Sequence, residues 1–111
     1  MKKDKTGETI LVIVSHRDDE AVGLGGTIAK HNNNGDKVFG ISMTDGVGAR
    51  DDLLTNAVHH RYEASLRAAK ILGMEWIDGG NFLDNAMDSI PLLAVVRVIE
   101  EIKNQIKPTI V

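Results

Sequence analysis

Thr9-Ile10-Leu11-Val12-Ile13-Val14-Ser15, followed at once by His16-Arg17-Asp18-Asp19-Glu20, is the stretch on which the reading of this chain turns. The first seven residues are β-branched or aliphatic with no polar alternation, the pattern of a strand buried on both faces of a parallel sheet. The next five are polar, and Ala21, Val22, Leu24, Ile28 and Ala29 then recur at helical spacing. Negative side chains in a first helical turn offset its free N–H groups and positive dipole end. A helix is therefore expected to start at the acidic cluster. Asn32-Asn33-Asn34-Gly35 ends it, with Gly35 suited to a left-handed cap.

Working outward, a second strand is expected from about Lys37 to Met43, with Thr44-Asp45-Gly46 turning out of it. Gly46, Gly48 and the polar stretch to Asn56 read as a mobile loop. Ala57 to Leu72 reads as a helix whose apolar stripe is mostly Tyr62, Leu66, Ala69, Ile71 and Leu72, stopped by Gly73. Glu75 to Asp78 is a short strand, followed by a Gly-Gly-Asn loop at 79–81. Pro91 fits the first turn of a helix reaching about Lys107. Pro108 ends it, and Thr109-Ile110-Val111 begins a fourth strand.

The order β-α-β-α-β-α-β implies an α/β, Rossmann-like parallel sheet with flanking helices. Because the fourth strand is only beginning at Val111, the sheet is expected to be incomplete at the C-terminus. Residues 1–111 then form one domain truncated at that strand, either a fragment or a chain that needs a partner. An unfinished sheet edge invites pairing, so a homo-oligomer, or pairing with another chain through that edge, is expected.

Composition narrows the function. The chain is 42% hydrophobic and 26% charged with net charge −3, as in ordinary soluble domains. No clustered basic face marks a nucleic-acid binder. Absence of cysteine excludes disulfides, thiolate metal sites and a cysteine nucleophile, so any metal must be held by His and carboxylate. The charged Met1-Lys2-Lys3-Asp4-Lys5 start is followed by no long apolar run, and Leu11 to Val14 is too short to span a bilayer. The expectation is a cytoplasmic protein with no membrane partner.

Four of the five side chains in His16-Arg17-Asp18-Asp19-Glu20 are of metal-ligand or acid–base type. His16 and Asp19, three apart across a strand-to-helix turn, can converge on one ion as Zn²⁺ ligands do. Asp18 between them would face the ion's open position and deprotonate water there. The alternative is purely structural: Asp18 caps the helix, Asp19 and Glu20 occupy its first turn, and His16 is a polar residue at a strand end.

The segment closely resembles the His-Pro-Asp-Asp-Glu signature of the PIG-L/LmbE deacetylases, preceding aliphatic strand included. Ala21-Val22-Gly23-Leu24-Gly25-Gly26-Thr27-Ile28-Ala29 is similar to the small-residue helix of that family. Thr44-Asp45-Gly46, Arg61-Tyr62-Glu63-Ala64 with Ala68-Ala69 and Leu72-Gly73, and Phe82-Leu83-Asp84 follow in matching order. The resemblance covers nearly the whole chain. It implies zinc-dependent removal of an N-acetyl group from a glucosamine-type sugar. Carried over residue by residue, it implies His16 and Asp19 as zinc ligands and Asp18 as general base. Arg61 and Asp84 match substrate-contacting positions, although Arg61 also reads as a solvated helix residue and Asp84 as a loop residue closing an Asx turn.

The chain departs from the family in two places. Arg17 stands where the signature has proline, adding a positive charge that could salt-bridge a loop carboxylate or contact an anionic substrate. The family's third zinc ligand, a histidine just past the fourth strand, would lie beyond Val111. His31 lies about 20 Å along the first helix and is a poor substitute. His59 and His60 could approach from the loop side, or simply be surface residues. Gly23, Gly25 and Gly26 lie inside the helix, so the dinucleotide fingerprint is not met and helix–sheet packing is expected of them. Trp76 reads as core. Two rival readings remain: an inactive fold or assembly module lacking a full ligand set, and a metal-free nucleotide-binding Rossmann-like domain.

Overall fold

The computed structural model describes residues 7–44 and 55–111, with backbone alone at 55–58. Three parallel strands, β1 (Thr9–Val14), β2 (Lys37–Ser42) and β3 (Met74–Trp76), pair in the order β1-β2-β3. Helix α1 (Asp19–Asn33) joins the first two, and α2 (Thr55–Leu72) leads into the third. A 3₁₀ turn (Met87–Ser89) precedes α3 (Leu92–Ile106). The chain then returns beside β1, where Ile110 forms a parallel bridge with Ile10 and its carbonyl accepts from Leu11 N–H at 2.9 Å. The expected α/β parallel sheet is therefore present, with the returning segment on the opposite side of β1 from β2. Strand order reverses beside β1, and open α/β sheets bind ligands at the carboxyl end of such a reversal.

Successive β1 side chains point to opposite faces, and both faces are covered. Ile10 and Val12 join Ile28 of α1, Val38, Ala69 of α2 and Met74 in one buried cluster. Leu11 joins Ile41, Met43 and Ile102 of α3 in the other. That is why the strand reads as an unbroken apolar run. Leu11 and Ile41, at most 1% exposed, each contribute about 1.5–3 kcal/mol by leaving water.

The helices touch the sheet through fewer residues than their sequences suggest. Among the described side chains of α2 the buried ones are Ser65 and Ala69, with Leu72 packed beside them, while Tyr62, Leu66 and Ile71 are exposed, Ile71 to 83%. Ala69 and Leu72 of the expected stripe therefore face the core while Tyr62, Leu66 and Ile71 do not, and small Ser65 and Ala69, four apart, mark the line of contact. On α1 only Glu20 and Ile28 are buried. A methyl group added at Gly23 or Gly26 would meet nothing within 4 Å, and at Gly25 only Leu72 at 3.8 Å. These glycines do not pack the helix on the sheet, contrary to expectation.

Helix α1 ends as the asparagine–glycine run predicts. Gly35 has φ +89°, its N–H donates to the Asn32 carbonyl, and Asp36 N–H donates to that of His31, a Schellman arrangement. His31 Nδ1 also donates to Asp36 Oδ2 at 2.7 Å, and Asp36 Oδ1 accepts from Glu8 N–H at 2.8 Å, tying the helix end to the start of β1. Gly80 and Asn81 both take left-handed conformations, φ +72° and +62°. A Cβ on Gly80 would fall 2.3 Å from the Ser42 carbonyl oxygen, so only glycine fits this crossing of β2. Asp45, Gly46 and the loop expected up to residue 54 lie outside the described residues. Among the described residues no helix is long and apolar enough to cross a membrane.

Two glycines should therefore answer oppositely to alanine. Gly26→Ala, in open space within a helix, should stabilise by about 0.5–1 kcal/mol. Gly80→Ala should destabilise by more than about 1 kcal/mol. Urea unfolding of both variants checks this, and a neutral Gly80→Ala would contradict the close approach.

Candidate metal centre

Three segments meet at the carboxyl end of β1. The Ser15 carbonyl, one residue past the strand, accepts from Thr44 Oγ1 at 2.7 Å, Ser42 Oγ at 3.2 Å and Thr44 N–H at 3.2 Å. Thr44 also bridges in parallel to Phe82, whose N–H donates to the Met43 carbonyl at 3.0 Å. The left-handed pair Gly80-Asn81 makes that contact possible and brings Asp84 to the same place.

His16 is the residue on which these segments converge. Its Nε2 donates to Asp84 Oδ1 at 2.7 Å, and its Nδ1 lies 3.6 Å from Asp19 Oδ2. The same Asp19 oxygen accepts from His16 N–H at 3.0 Å, holding the carboxylate against the turn. Asp84 is the most enclosed of the three, its side chain 13% exposed. Its hydrogen bond raises the imidazole pKa above 6.5; burial opposes this, and the charges of Asp84, Asp19 and Asp18 reinforce it.

This donor pair fits a divalent cation. Zinc bonds of about 2.0–2.2 Å at a tetrahedral angle require an N···O separation of about 3.4 Å, close to that between His16 and Asp19. Pinning Nε2–H on Asp84 leaves the Nδ1 lone pair for the ion, as carboxylates behind metal-binding histidines do. Among the described residues no cluster of three His, Cys, Asp or Glu side chains forms a complete cage. The two proposed ligands come together, and Asp18 does not join them as a third.

Asp18 stands at the N-cap of α1 but makes no side-chain cap hydrogen bond. Its carboxylate is exposed and is not spent in the structural role that the alternative reading assigns it. Glu20, by contrast, is 1% exposed, and its Oε1 has no hydrogen-bond partner. Burial pushes this carboxyl above its ordinary 4.5; a backbone hydrogen bond opposes the rise, Asp18 and Asp19 add to it, and Arg17 opposes it.

Arg17 forms no ion pair among the described residues, and the loop carboxylates at 45–54 that it was expected to meet lie outside them. Its Nη1 donates to Ser65 Oγ at 3.1 Å, and its guanidinium carbon lies 4.7 Å from the Tyr62 ring centre and 4.5 Å from that of Trp76. Each cation–π contact contributes about 0.5–2 kcal/mol according to how dry it is. Arg61, the neighbour of Tyr62, is exposed on α2 and makes no hydrogen bond or ion pair to His16 or Asp84. Ser42 and Ser65 escaped the sequence reading, and Thr44 entered it only as part of a turn and motif, since a hydroxyl that ties a loop carbonyl or receives an arginine leaves no pattern in one sequence.

Two titrations check these environments. The raised His16 value belongs to the folded state, so this pair contributes stability fully present below pH 6.5 and lost as pH rises through the folded value. In chelator-treated protein, His16 should titrate above 6.5 by NMR, and Asp84→Asn should lower the midpoint; an unmoved midpoint contradicts the pair. Glu20 holds its proton more tightly when folded, so its contribution erodes as pH rises above 4.5. Glu20→Gln should therefore raise Tm more at pH 7 than at pH 4, and equal shifts at both would count against a strained buried carboxylate.

Known proteins resemble this chain in sequence and in fold. Over 81 residues the chain is 37% identical to a diacetylchitobiose deacetylase of Thermococcus kodakarensis, covering 70% of this chain and 30% of that protein. The fold is similar to that of N,N'-diacetylchitobiose deacetylase from Pyrococcus horikoshii, solved with an inhibitor. There the TM-score is 0.72 at 29% identity, over 91% of this chain and 38% of the other. It is also similar to the zinc-inhibited form of a teicoplanin deacetylase, TM-score 0.75, over 92% of this chain and 54% of the other. At 18% identity that last likeness concerns the fold alone. The chain thus spans between about a third and a half of the length of these proteins. The family model described as GlcNAc-PI de-N-acetylase matches residues 11–111, from inside β1 through the His16 turn to the returning segment, and the chain belongs to that family, PIG-L.

Proposed function

We propose that the protein removes the N-acetyl group from an N-acetylglucosamine-type sugar or glycoconjugate by metal-assisted amide hydrolysis. The observation that carries this reading is the His16 ring, held through Nε2 by Asp84 and facing Asp19 through Nδ1, at the point where strand order reverses. Family membership and the diacetylchitobiose deacetylases among the relatives support the substrate class.

His16 and Asp19 would hold a divalent cation, zinc being the ion best suited to an imidazole–carboxylate pair. When bound, such an ion polarises the amide carbonyl and lowers the pKa of water towards about 7. Asp18, exposed and not engaged as a cap, takes the proton from the attacking water and delivers it to the departing amine. Asp84 keeps the imidazole in the tautomer that leaves Nδ1 free; with Oδ1 on His16, it has Oδ2 left for a sugar hydroxyl. Arg61, exposed on α2, is assigned to the sugar as well.

Asp18→Asn should lower kcat on diacetylchitobiose by about 10²-fold or more while zinc content by elemental analysis is unchanged. His16→Ala should lose the zinc itself. Activity retained in Asp18→Asn removes that residue from the role of base, and unchanged zinc in His16→Ala removes the ligand.

A further inference from the structure

The residue in the middle of the site turn is the one in which this chain departs from the family signature, and its side chain is fully engaged. Arg17 lies between His16 and Asp18 in sequence, yet its guanidinium reaches away from both, to α2 and β3. It lies against the rings of Tyr62 and Trp76 and donates to Ser65 Oγ. Those partners are themselves fixed. Ser65 is 3% exposed, its Oγ donates to the Tyr62 carbonyl at 2.7 Å, and its own carbonyl accepts from Trp76 Nε1 at 3.2 Å. Trp76 pairs with Gly40 across the strands, and a Cβ at Gly40 would lie 3.2 Å from its ring, so the missing side chain makes room for the indole.

We propose that Arg17 is a positioning residue for the metal centre: its contacts with Tyr62, Trp76 and Ser65 hold the turn that presents His16, Asp18 and Asp19. A proline at this position would restrict the turn through its own ring. Arginine restricts nothing locally, so here the restriction comes from tertiary contacts at the far end of the side chain. The same contacts draw the positive charge onto two aromatic faces and away from the place a cation would occupy. Arg17 N–H makes no backbone hydrogen bond, so a proline there would remove none. The inference rests on His16 and Asp19 as the metal pair.

The test measures Zn²⁺ affinity by chelator competition, together with the emission of Trp76, the only tryptophan in the chain. Residues that orient metal ligands typically change affinity by about 10–100-fold when removed. Arg17→Met should weaken Zn²⁺ binding within that range and shift the Trp76 emission, while far-ultraviolet circular dichroism stays that of the wild type. Trp76→Phe, which keeps an aromatic face, should bind within about threefold of wild type. Arg17→Pro should also bind within about threefold, although the aromatic contacts are gone, because the turn is restricted by other means. A structural role alone predicts no recovery with proline. If the wild type binds Zn²⁺ through His16 and Arg17→Met binds equally well, the positioning role is overturned and the metal pair stands. If His16→Ala leaves wild-type affinity unchanged, the metal pair falls and the positioning role with it.

Discussion

A strand with solvent on neither face has to pay out its polar groups where it leaves the core, and β1 does so at Ser15. Its side chains fill two separate clusters, one under α1 and α2, the other under α3. Its neighbours, β2 and the returning segment at Ile110, take its backbone groups on either side. The first carbonyl past the strand is met by three donors from Ser42 and Thr44. The candidate centre starts from that exit: His16 is aimed from a residue whose carbonyl three hydrogen bonds hold.

The sequence carried the layers of the fold clearly, and for a physical reason. An apolar run without alternation is what double burial demands, and the asparagine–glycine run at the end of α1 makes the cap that it signals. The family signature likewise located His16, Asp18 and Asp19 on one turn. What stayed hidden depended on contacts between distant segments. Asp84 reaches His16 across 68 positions, through a crossing that only Gly80 allows. Ile71 has the chemistry of a core residue and stands in solvent, because Ser65 and Ala69 bring the other side of α2 onto the sheet. Arg17 was legible as a departure but not as a contact, since nothing local tells an arginine to seek Tyr62 and Trp76.

The charge around the turn has a consistent sense. Asp84, through its hydrogen bond above all, and the charges of Asp19 and Asp18 favour the protonated His16 imidazole, whereas Glu20 holds its proton chiefly because it is buried. The negative charge that acts on His16 has the sign that would also favour a divalent cation. The oxygens serve two ends at once: they set the ring of His16 and supply the field in which an ion would sit.

Helix α1 is buried at only two positions. Glu20 lies buried at one end, Ile28 and the His31–Asp36 link fix the other, and between them Gly23, Gly25 and Gly26 pack against almost nothing. Three glycines in a helix interior each weaken it by about 1 kcal/mol relative to alanine. The middle of this helix therefore opens at a lower free energy than the strands beneath it, and its amides exchange with deuterium ahead of theirs. The turn bearing the centre is thus mounted on a buried strand at one side and on the anchored first turn of α1 at the other, and the softer glycine stretch lies beyond the carboxylates.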